Sequence, residues 1–132
     1  MKQLDERVKK LLEAQPLWYV GTCSDVPEVS LIGFKDILDD GRLLLCDVFM
    51  KNTKKNILSN GYVCISAGDP ETMEGYQIFG KAEYVSEGAY VDEWNSNAQM
   101  MSGGKLFAKG VVLVTPERVR VMSVCSTNGK EL

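Results

Sequence analysis

The sequence predicts a mainly β fold: a small antiparallel β-barrel of six or seven strands with two or three flanking helices. Three observations carry this expectation. β-Forming runs recur along the chain between turn signals. The stretch "GYQIFGKAEYV" alternates, putting Tyr76, Ile78, Gly80, Ala82 and Tyr84 on one face and Gln77, Lys81 and Glu83 on the other. Gly80, inside that strand, marks the bend or bulge that a sheet needs in order to curl. Val63, Ile65, Ile78, Val112 and Val114 are the residues expected to point inward.

The elements follow in order. Leu4, Val8, Leu11 and Leu12 recur at helical spacing among charged residues, and Pro16 ends the segment, so residues 1–15 read as an amphipathic helix packed across a sheet. "LWYVGTC" is rich in β-formers, "SDVP" is a turn, and "EVSLIGFKDIL" runs through the "DDG" turn into "RLLLCDVF". These three runs are expected as successive strands of a meander. A short helix should begin near Thr53, turning Ile57 and Leu58 inward, before the strand "YVCISAG", the acidic loop "DPETME" and "GYQIFGKAEYV". "SEGAYVDEWNSNAQMM" reads as a helix with Ser86 as N-cap. "GVVLVTPERVRVMSV" reads as two strand-like runs broken at Thr115 and Pro116, and residues 125–132 as a frayed polar tail. Trp18 and Tyr19 are assigned to the core. No repeat or linker divides the 132 residues, so the expectation is a single domain over 1–132.

Composition excludes several classes of function. No apolar run approaches the roughly 20 residues that span a bilayer, so no membrane role is expected. The charged N-terminus lacks the apolar segment of a secretory signal, which places the protein in the cytoplasm. A net charge of −3 opposes general affinity for nucleic acid, which requires an extended basic surface. The chain has no histidine, and Cys23, Cys46, Cys64 and Cys125 are dispersed without a C-x-x-C pair, so neither a metal centre nor a disulfide is expected. There is no Ser/His/Asp set, no paired-carboxylate motif and no glycine-rich phosphate loop.

One segment does carry a chemical signal. In "FMKNTKKNILSN", Lys51, Lys54 and Lys55 cluster at the start of a helix, where the macrodipole disfavours cations by about 0.3–1 kcal/mol each. A bound anion reverses that sign, because it meets free backbone N–H groups, the Thr53 hydroxyl, the Asn52 amide and a lysine ammonium together. The competing reading is a solvated basic helix face with Asn52 or Thr53 as an ordinary N-cap.

The order "SDVPEVSLIGF", "DDGRLLLCDVFMKNTKKNILSNGYVCIS", "GYQIFGKAEYVSEG" resembles the pyridoxamine 5′-phosphate oxidase-like family of FMN-binding split barrels, most closely its short single-domain members. The similarity runs from about Leu17 to Thr115. It implies FMN as cofactor, with Ser30, Leu31 and Ile32 beside the flavin ring and ribityl chain. It further implies that Cys46, Asp47 and Phe49 line the cleft, and that Lys51, Asn52 and Thr53 meet the phosphate through a [K/R]-T-x-x-N-like segment. Asn52 stands where many relatives carry the basic residue, so the charge must come from Lys51 or Lys54. The resemblance implies a homodimer whose Phe107 reaches the partner's flavin; without it, Phe107 reads as a staple for its own "GG" loop. Without the resemblance, Leu31, Ile32 and Phe49 read as plain core and Ser30 as an ordinary strand residue. Apolar runs at Leu43 to Leu45 and Val111 to Val114, with Met100 and Met101, look too many for a small monomer to hide.

The patterns that grip pyridoxal phosphate in the true oxidases are absent, as is the histidine of the haem-binding and nitroimidazole-reductase-like relatives. The function the resemblance implies is a flavin-dependent oxidoreductase acting on a small substrate, with a nicotinamide or deazaflavin reductant. The alternatives are a non-catalytic flavin carrier or electron-transfer module, and a cofactor-free dimeric interaction domain.

Overall fold

The computed structural model describes residues 1–132. Its elements are α1 (Glu6–Ala14), β1 (Trp18–Cys23), β2 (Pro27–Ile32), β3 (Lys35–Ile37), β4 (Leu43–Asp47), α2 (Asn52–Asn60), β5 (Tyr62–Gly68), β6 (Gly75–Val85), α3 (Ala89–Met101) and β7 (Gly110–Val121). All strand pairs are antiparallel, in the order β2-β1-β5-β6-β7-β4-β3. β2 and β3 are therefore the two edges, yet only Gly33 and Phe34 separate them in sequence. A sheet whose opposite edges are joined by two residues must curl round on itself, and this makes it a split barrel.

That topology corrects the expected meander. "EVSLIGFKDIL" is not one strand: its first half pairs with β1, and after Gly33 the chain crosses the split and pairs with β4. β7 likewise runs unbroken through Pro116. Pro116 lies opposite Gly80, at the register shift between Phe79 and Gly80, where a missing N–H is tolerated. A Cβ on Gly80 would stand 2.4 Å from the Thr115 carbonyl oxygen, so the close approach of the strands requires glycine.

The interior is built from the predicted alternation: Val63, Ile65, Ile78, Val112 and Val114 are all buried there, with Val8, Leu11 and Leu12 of α1 closing the interior. Trp18 joins them and donates its indole N–H to the Leu12 carbonyl at 2.9 Å. Tyr19, also assigned to the core, instead lies on the outer face. A second apolar cluster sits on the far side of β4 and β7, where Leu44, Cys46, Val111 and Leu113 pack against Val91 and Trp94 of α3. The runs Leu43–Leu45 and Val111–Val114 are thus hidden within one chain, contrary to expectation; Met100 and Met101 remain exposed.

Smaller differences have local causes. Leu58 faces solvent while Ile57 is buried, because consecutive helical residues point about 100° apart. α3 begins after Gly88, whose φ of +120° suits glycine, so Ser86 lies outside the helix. The C-terminal residues fold back on β7: Leu132 donates its N–H to Val119 at 2.9 Å and Arg118 pairs with Glu131. No helix is long and apolar enough to cross a membrane.

Candidate functional site

The split leaves a cleft of about 430 Å³. One wall is Ser30 to Phe34, the end of β2 and its crossing to β3; the other is Cys46 and Val48 to Met50, where β4 ends; Leu106 closes one side. The volume lies in the range of about 300–1,000 Å³ typical of small-molecule sites, and most of the lining is apolar. Leu31 and Phe49 are 58% and 75% exposed, large apolar side chains left uncovered at the mouth.

The predicted site residues separate into four groups. Ser30, Leu31, Ile32, Cys46 and Phe49 come together in the cleft wall. Asp47 is adjacent in sequence but turned inward: it is fully buried, its carboxylate accepts the Met50 N–H at 2.8 Å and the Tyr84 hydroxyl at 2.5 Å, and it shapes the turn leading to α2. Lys51, Asn52 and Thr53 open α2 beyond the cleft. Lys51 is the N-cap residue, no side chain caps the helix, and its first turn contains no acidic residue. Unpaired amide N–H groups therefore face outward beside exposed Lys51 and Asn52. Phe107 lies outside the cleft and is 55% exposed, whereas its neighbour Leu106 lines it. The loop carrying both is pinned by the Leu106 N–H to Ser102 at 2.8 Å and the Ala108 N–H to Asn95 at 3.1 Å.

Cys46 is the one titratable group in the cleft lining. Burial pushes the Cys46 thiol up to about 11, with the neighbouring Asp47 carboxylate adding to the rise, so this cysteine stays protonated and is no nucleophile at neutral pH. Burial and the bond to Asp47 also hold the Tyr84 phenol well above its usual range. The Lys54 ammonium lies 4.4 Å from the centre of the Tyr84 ring, stacked back over the protein.

Sequence reasoning missed a polar set directly beside this site. Thr22, Glu28 and Asn56 join Ser30 and Thr53 in one hydrogen-bonded group. A signal existed: Asn56 follows Thr53 by three residues, the helical spacing that sets two side chains on one face. Glu28 had none, because its role depends on β2 lying against α2.

Among known proteins, an uncharacterized protein of Methanocaldococcus jannaschii is 36% identical over 92 residues, covering 67% of this chain and 61% of that protein. The chain thus spans less than two thirds of that relative's length. The crystal structure of HupZ from Group A Streptococcus superposes with a TM-score of 0.81 at 26% identity, covering 96% of this chain and all of the other. An FMN-binding protein from Syntrophomonas wolfei subsp. wolfei superposes with a TM-score of 0.77 at 13% identity, covering 91% of this chain and 86% of the other. The family described as pyridoxamine 5′-phosphate oxidase matches residues 4–123. That match takes in every strand, both cleft walls and the start of α2, and on it the chain belongs to the pyridoxamine 5′-phosphate oxidase family.

Proposed function

We propose that this protein binds FMN and serves as a flavin-dependent oxidoreductase for a small substrate, working as a homodimer in the cytoplasm. The observation that carries the proposal is the juxtaposition of an apolar cleft with an uncapped helix N-terminus flanked by Lys51. A flavin mononucleotide needs this pairing: a flat slot for the ring, and N–H donors with a cation for the phosphate. Leu31, Ile32 and Phe49 would hold the ring, Ser30 the ribityl chain, and Lys51, Asn52 and Thr53 the phosphate. Membership of the family and the likeness to an FMN-binding protein support the same reading.

Bound flavin would supply the hydride or electron transfer; the chain's own residues position it and keep water out. The cleft lining offers one titratable group, Cys46, and that thiol is held protonated, so proton transfer by a cleft side chain is not part of the proposal. The same feature favours a second reading, in which the protein carries flavin or electrons without turnover. Assays with NADH, NADPH or reduced deazaflavin and a panel of acceptors separate the two.

The homodimer is supported by exposed apolar residues, Leu31 and Phe49 at the mouth with Val29 and Phe107 outside it, which a second copy would cover. Titrating the apoprotein with FMN and following flavin fluorescence tests the cofactor. The double variant Lys51→Glu/Thr53→Ala should weaken binding at least about tenfold, since each hydrogen bond to a charged group contributes about 1.5–3 kcal/mol. Unchanged affinity would show that the phosphate is not held there.

A further inference from the structure

The Thr53 hydroxyl, the hydroxyl closest to the start of α2, is already engaged. Thr53 is 1% exposed, and it donates to Oε1 of Glu28 at 2.5 Å. The same oxygen accepts from Thr22 at 3.0 Å and lies 3.4 Å from the Ser30 hydroxyl, while Asn56 donates to Thr22 at 3.0 Å. Ser30 also touches Thr53, and the proton count closes with Ser30 donating to Thr53 and Thr53 to the carboxylate. Glu28 takes part in none of the ion pairs of the chain, although three lysines stand on the adjoining segment. An anion is therefore held by hydroxyl groups beside the N-terminus of a helix, and that anion belongs to the protein.

The geometry points to Glu28 as the residue that sets selectivity between phosphorylated and unphosphorylated flavins, by occupying the position that the FMN phosphate would take. The inference rests on the flavin reading above. A phosphomonoester and a carboxylate cannot share the Thr53 hydroxyl, and two anions at hydrogen-bonding range repel each other. FMN binding then requires Glu28 to rotate out of the cluster. Glu28 is half-buried on an edge strand, so it has space to do so. Riboflavin, which lacks the phosphate, leaves Glu28 where it is. The hydroxyl set serves both states: it holds the carboxylate when the phosphate position is free and the phosphate when it is filled.

The experiment is a pair of titrations, FMN and riboflavin, against the wild type, Glu28→Gln and Glu28→Ala. Gln keeps the shape and an accepting oxygen and removes the charge. Both variants should bind FMN at least about tenfold more tightly, equivalent to about 1.4 kcal/mol, with riboflavin affinity within about twofold of wild type. Melting curves establish that each variant is folded, and Ala covers the case in which Gln simply re-forms the cluster. If both flavins shift together, or neither shifts, Glu28 does not compete with phosphate and the inference is overturned. If the wild type binds neither flavin, the cofactor reading fails and takes the inference with it. A wild type that discriminates between the flavins to the same degree as both variants leaves the cofactor reading intact and overturns the inference alone.

Discussion

β4 and β2 lie near opposite ends of the strand order, and they are buried in opposite ways. All residues of β4 are buried: Leu43 and Leu45 face the barrel interior, and Leu44 and Cys46 lie under α3. In β2 only Ile32 is fully buried, and Val29 and Leu31 stand on an outer face that no helix covers. The difference lies in the covering element, since both strands contain apolar residues. Where α3 is present the β4 side chains are covered on both faces, and only Cys46 at the strand's end reaches the cleft wall. Where no helix covers it, the same kind of residue is left exposed, as Val29 and Leu31 are.

The largest effect that could break this comparison is on stability. Leu45→Ala removes a fully buried side chain and should cost about 2–5 kcal/mol, read as a lower urea midpoint. Leu31→Ala should stay within about 0.5 kcal/mol in the ligand-free monomer. If the two cost the same, β2 is covered in solution and the contrast is false.

Asp47 and Glu28 sharpen the comparison for carboxylates. Asp47→Ala removes the fully buried acceptor of the half-buried Tyr84 hydroxyl and of the Met50 N–H, each loss costing about 1–3 kcal/mol, and it deforms the turn into α2. The groups around Glu28 can still bond to one another, Ser30 to Thr53 and Asn56 to Thr22, so Glu28→Ala should lower the urea midpoint less.

Much of this was legible in the sequence, and the limits have physical causes. β5 and β6 were legible to the residue because alternation with a period of two is a local property, bounded here by glycines at Gly61, Gly68 and Gly75. The division of "EVSLIGFKDIL" between two edges was not, because its residues are β-formers throughout and only the global order separates them. Pro116 misled for a related reason: whether a proline breaks a strand depends on what faces it, and Gly80 is remote in sequence. In the site, the cleft wall from Ser30 to Ile32 followed from the resemblance, while the partners of Thr53, Glu28 and Ser30, came from β2 and had no local signature.

An intermediate effect concerns pH on the scaffold side. Burial raises the Cys46 thiol from 9.0 to about 11 and the Tyr76 phenol from 10.0 to about 12, the latter also through its bond to Glu74; Tyr84 rises further still. Each group keeps its proton longer when folded than when unfolded. Their stabilisation is therefore complete below pH 9 and is lost progressively as pH rises through the folded values near 11 and 12. Urea midpoints should be flat just below pH 9 and fall above it, and Tyr84→Phe should make the fall shallower. A midpoint insensitive to alkali would mean that these groups are open to water.

The smallest expected effect on stability separates the lysines. Lys54 is half-buried with its ammonium over the Tyr84 ring, a contact of about 0.5–1 kcal/mol at exposed sites. Tyr84 in turn is bonded to Asp47, so Lys54 belongs with the scaffold even though it sits on α2 beside Lys51 to Thr53. Lys51 is exposed at the N-cap with no ion-pair partner. Lys54→Gln should therefore lower stability by no more than about 1 kcal/mol and change FMN affinity little. Lys51→Gln should leave stability unchanged, or raise it slightly by removing a cation from the positive end of the helix dipole, and should weaken FMN several-fold while sparing riboflavin. Titrating both flavins against both variants decides the assignment. If Lys54→Gln weakens FMN and Lys51→Gln does not, the phosphate sits deeper along α2, and Lys54 must leave the Tyr84 ring to reach it.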